Sequence, residues 1–89
     1  MTILDTIGTM LISTSAAERI CRANDLSTDW KDELTTGILH ELPDGIQLCR
    51  FQHNKHYRYS LFGSKSSLEK YVAYQLPRST IEIFAREVA

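Results

Sequence analysis

Apolar positions follow two different periods, and the change between them divides the chain. Ile3, Ile7, Met10 and Leu11 recur at helical spacing, which predicts a first helix ended by Ser13-Thr14-Ser15. Ala16, Ala17, Ile20 and Cys21 continue that period in a short second helix. Asn24-Asp25 tolerate left-handed backbone and predict a turn, with Leu26 plugging its corner. Ser27 or Thr28 would then cap a third helix over residues 28–42, with Trp30, Leu34, Ile38 and Leu42 inward and Pro43-Asp44-Gly45 as its stop. From Gly45 to Phe62 the period becomes two, the pattern of a hairpin. A two-residue loop at Asn54-Lys55 would oppose His53 with His56, Phe51 with Arg58 and Cys49 with Ser60. Ile46, Leu48, Tyr59 and Leu61 would pack on the helices, with Cys49, Phe51, His53, His56, Arg58 and Ser60 on the other face. Leu68, Tyr71, Val72, Gln75 and Leu76, stopped by Pro77, and then Ile81, Phe84, Ala85 and Val88, predict two C-terminal helices.

Hydroxyl residues mark the helix starts. Thr2-x-x-Asp5, Ser15-x-x-Glu18, Ser66-x-x-Glu69 and Ser79-x-x-Glu82 all fit the capping box, in which a hydroxyl and a carboxylate satisfy the first free amides reciprocally. The resulting expectation is an α+β, mainly helical single domain over residues 1–89. It would contain a three-helix unit with one β-hairpin, followed by two C-terminal helices.

Residues 15–61 resemble a winged helix-turn-helix domain. The resemblance lies in the Ala-Ala-Glu-Arg-Ile helix, the Leu26-Ser27 turn, the Trp30/Leu34/Ile38 helix and a hairpin closing on Tyr59-Ser60-Leu61. It implies a nucleic-acid-binding regulator of transcription that reads the major groove with its third helix. That helix opens Thr28-Asp29-Trp30-Lys31-Asp32-Glu33, three acids against one lysine, the wrong sign for a phosphate-lined groove. Winged helices also serve as protein-interaction modules, and an acidic third helix favours that use.

Charge sharpens this choice. Residues 1–46 hold three basic and eight acidic side chains, and residues 47–89 hold seven basic and three acidic ones. Arg50, Lys55, Arg58, Lys65 and Lys70, interleaved with Phe51, Tyr57, Tyr59 and Tyr71, form a candidate nucleic-acid-binding set, since bases stack on aromatic rings and phosphates pair with cations. Asp29, Asp32 and Glu33 around Trp30 form a candidate protein-binding set, an acidic face with an aromatic anchor for a basic partner. The partner expected is therefore nucleic acid or a larger nucleic-acid-binding protein complex. The second case would make the chain an inhibitor or adaptor of the kind phages and mobile elements encode.

Other chemistry finds little in the sequence. Cys21 and Cys49 sit in apolar patterns, where a free cysteine behaves as a small hydrophobe. His53, His56 and Cys49 fall short of the four ligands of a structural zinc site, and His40 is explained by the dipole at the end of the third helix. No phosphate loop, nucleophile elbow or metal-hydrolase motif occurs, so no catalytic residue, metal or cofactor is expected. Two cysteines, an N-terminus without a basic region and the lack of an apolar run of about 18 residues predict a cytoplasmic protein without a membrane span.

Overall fold

A computed structural model of the chain describes residues 3–77 and 82–88, and the side chains of residues 6–77. Its framework is a five-stranded antiparallel sheet in the order β2-β3-β4-β1-β5, built from β1 (Ile3–Ile12), β2 (Gly37–Glu41), β3 (Gln47–His53), β4 (His56–Ser64) and β5 (Glu82–Val88). One helix, α1 (Thr14–Ala23), lies between β1 and β2. A four-residue α2 (Lys65–Leu68) continues as a 3-10 turn over Glu69–Tyr74.

The mainly helical expectation is overturned. The first segment is a strand because Thr6, Ile7, Thr9 and Ile12 are β-branched and Gly8 interrupts any helix. Met10 and Ile12 point into the core, while Ile7, Thr9 and Leu11 are half-buried on the other side. A strand with apolar residues on both faces mimics a helical stripe. The expected third helix fails for the same class of reason. Thr35-Thr36-Gly37 breaks it, with Gly37 at φ 104°, a conformation no helix contains. What forms instead is a 3-10 turn over Asp29–Asp32, an extended loop and β2. The three-helix unit implied by the winged-helix resemblance is therefore absent. The last expected helix is β5, paired with β1, whose edge would otherwise be bare; Ile81 lies outside the described residues.

Other local expectations match. The hairpin forms on the two-residue loop Asn54-Lys55 with His53 opposite His56, Phe51 opposite Arg58 and Cys49 opposite Ser60. Both loop residues have positive φ, 50° and 65°, which suits the twist of the strands. Helix α1 buries Ala16, Ala17, Ile20 and Cys21, and Asp25 turns at φ 56°. Its cap is Ser13 rather than Ser15, with Ser13 Oγ accepting from the Ala16 amide at 3.1 Å. Likewise Ser64, not Ser66, caps α2. Thr2 and Ser79 lie outside the described residues.

One face of the sheet carries the core. Met10, Ile12, Ile46, Leu48, Tyr59 and Leu61 meet Ile20, Cys21, Trp30 and Leu68. Phe51 and Phe62 on the opposite face remain partly exposed, each at 38%.

Candidate functional site

Arg50 lies on β3 in phase with Ile46 and Leu48, so its side chain enters the core face, where it is 1% exposed. No carboxylate pairs with it among the described residues. Its guanidinium instead binds the backbone of the loop before β2. Nη1 donates to the Trp30 carbonyl at 2.6 Å, Nη2 to Glu33 at 2.9 Å and to Thr35 at 2.6 Å, and Nε to Thr35 at 2.9 Å. The Tyr57 ring covers the guanidinium at 4.4 Å and the Trp30 ring flanks it at 5.9 Å. Planar donors in a fixed fork suit this task, and the two π-faces further stabilise the buried charge.

Further contacts complete the clamp. Tyr57 Oη donates to the Leu34 carbonyl at 3.3 Å. His40 Nε2 lies 2.7 Å from the Ser27 carbonyl, which ties the start of the loop to β2 and corrects the helix-end role expected for this histidine. Lys31 Nζ reaches Glu18 of α1 at 2.9 Å, and that hydrogen bond is the main cause holding the Glu18 carboxyl below its usual range. Trp30 is buried beside Tyr59, ring centroids 5.2 Å apart.

The clamp uses the loop's backbone and turns its side chains outward. Asp32, Glu33, Leu34, Thr35 and Thr36 are all exposed, Leu34 at 85%. Ile38, 57% exposed, is the second residue of the adjoining strand. Asp29, Asp32 and Glu33 form no ion pair among the described residues, whereas the neighbouring Lys31 is neutralised by Glu18. A cleft of about 260 Å³ between this loop and β2 is lined by Asp29, Trp30, Glu33, Ile38 and His40, among others.

The two candidate sets fare differently. The acids of the protein-binding set stay together, on a 3-10 turn and loop rather than a helix. Trp30, their expected anchor, is buried and reaches the surface only in the lining of the cleft, whereas Leu34 takes the outward position. The basic set disperses. Arg50 is the buried clamp, which removes it from any contact surface. Lys70 pairs with Asp44 at 2.9 Å. Lys65 begins α2 at the far end of β4, about 30 Å from the hairpin tip at strand rise. Only Lys55 and Arg58 remain near one another, at and beside that tip. Arg50's inward direction was legible in the alternation Ile46, Leu48, Arg50. Leu34's exposure was signalled by Thr35-Thr36-Gly37 alone.

Burial pushes both Cys21 and Cys49 up from the ordinary thiol value, opposed at Cys21 by the Trp30 side chain. The indole Nε1 has no hydrogen-bond partner of good geometry among the described residues. No described helix is long and apolar enough to cross a membrane. In comparison with known proteins, no family model matches the chain, and no curated protein or solved structure is significantly similar to it.

Proposed function

We propose that this chain acts by binding, as a protein–protein module whose clamped acidic loop docks on a basic partner surface. Leu34 enters an apolar pocket of the partner, and Asp29, Asp32 and Glu33 meet lysines and arginines around it. The observation that carries this reading is the Arg50 clamp. Burying a guanidinium without a carboxylate partner is costly, and here it accompanies the ordering of a loop whose side chains from Lys31 to Thr36 face water. A loop without a binding role gains little from such order. A rigid loop loses less entropy when it docks, which strengthens binding. The charge argues for the partner class: proteins that handle nucleic acid offer large basic surfaces, and this loop competes with phosphate for them.

The test is crosslinked capture from host lysate with the wild-type chain, Leu34→Asp, and the triple variant Asp29→Asn, Asp32→Asn, Glu33→Gln. All are first checked by circular dichroism. Leu34→Asp is expected to reduce the main captured partner at least ten-fold. The triple variant should lose the salt sensitivity of capture. Equal yields from all three proteins across salt would place the interface elsewhere.

A further inference from the structure

The face of the sheet opposite α1 carries a second, independent set of residues. Directly paired residues share a face, so the register places Leu11, Ser60 and Cys49 in one row across three strands, and Ile38, at the edge of that row, borders the loop cleft instead. Phe51 and Arg58 form the next row, and His53 and His56 the last before the Asn54-Lys55 turn. Leu11, Phe51, His53 and Arg58 line a cleft of about 300 Å³ on this face. Its floor is apolar, one wall is an aromatic ring, and its rim carries a permanent cation and an imidazole.

Charge separates this face from the loop surface. The three rows from Leu11 to His56 contain Arg58 and no carboxylate, and Lys55 extends the positive side over the tip. Glu41, opposite Gln47, and Glu82, opposite Thr9, fall in one row, two rows from Phe51 and about 13 Å along the strands. A flat sheet with an exposed ring and a neighbouring guanidinium suits a splayed-out base followed by its phosphate. A duplex offers no free base face to such a ring.

We propose that this open sheet face binds single-stranded nucleic acid, with a base stacked on Phe51 in the cleft and its phosphates held by Arg58 and Lys55. The site shares no residue with the acidic loop and stands whether or not that loop docks on a protein.

Fluorescence anisotropy with labelled oligo-dT and oligo-rU at low salt tests this on the full chain. Wild-type binding is expected to weaken steeply as salt rises. Phe51→Ala should weaken it about ten-fold or more, and Arg58→Glu should abolish it. Phe51→Trp should retain binding and add a fluorescence component, absent from the wild type, that is quenched by the oligonucleotide. This variant keeps the test decisive if Phe51→Ala perturbs the sheet. Leu34→Asp should bind as the wild type does. The proposal is overturned by no wild-type binding at low salt, by equal affinity for a duplex of the same length, by a Phe51→Trp signal indifferent to oligonucleotide, or by sedimentation showing that a second copy of the chain occupies this face.

Discussion

Arg50 is the residue on which the loop depends. Four hydrogen bonds to three carbonyls need a planar fork, and a lysine ammonium cannot span them. Arg50→Lys is expected to lower stability in urea melts by about 2–4 kcal/mol, since buried charge-assisted bonds are lost and carbonyls are left unpaired. A loss below about 0.5 kcal/mol would mean the loop is not held by this side chain. Leu34 behaves in the opposite way. A helical reading of residues 28–42 makes Leu34→Ala a core deletion, but at 85% exposure the substitution should change stability by less than about 0.5 kcal/mol. Cys21 and Cys49 add a pH dependence. Folded thiols that hold their protons more tightly than unfolded ones contribute stability that is fully present below the unfolded pKa and is lost as pH rises through the folded values. Urea melts under reducing conditions should therefore show stability falling above about pH 8.5. A flat profile up to about pH 10.5 would contradict the burial of these thiols.

Among the elements, the β3–β4 hairpin was the most legible. Period-two alternation and a two-residue loop sufficed for its register, because both signals are local and agree. Lys55 is the weak position of that turn, holding φ 65° with a side chain that disfavours it. Lys55→Gly should raise the urea midpoint, by about 1 kcal/mol in stability, without altering the sheet. A lower midpoint would indicate that the Lys55 side chain stabilises the turn. Helix α1 was also legible, although its cap lies two residues earlier than the capping-box pattern suggests. Ser13, Thr14 and Ser15 can each cap, and sequence spacing alone does not choose among them. The Trp30/Leu34/Ile38 spacing misled because the three residues end in different environments: one in the core, one fully out on a loop and one at an edge strand.

At the scale of the whole molecule, β1 is the organising strand. It lies between β4 and β5, and its end at Ile12 also bridges to Gln75. Residues 13–89 alone should therefore lack the native circular dichroism spectrum and the cooperative melt of the full chain. A folded fragment would show that β4 and the helices form a core without β1. The segregation of acidic and basic residues along the sequence survives only in part. Glu18 neutralises Lys31, Lys70 meets Asp44, and Arg50 is withdrawn into the core. What remains is an acidic loop beside the core face and a weakly basic hairpin end on the open face, two surfaces of different character on one small domain.

The sequence by itself determined the hairpin, the helix after Ser13 and the left-handed turn at Asp25, because each rests on neighbours within a few residues. It also placed Asp29, Asp32 and Glu33 together, since chain adjacency does not depend on the fold. Only the tertiary structure decided that residues 3–12 and 82–88 are strands. Their apolar patterns fit either period, and pairing with a distant partner selects between them. It also decided that Arg50 is buried and Leu34 exposed. A guanidinium enters a core only where enough carbonyls and rings converge on it, and here the carbonyls came from a segment 15 to 20 residues away in the chain and the nearer ring from the paired strand.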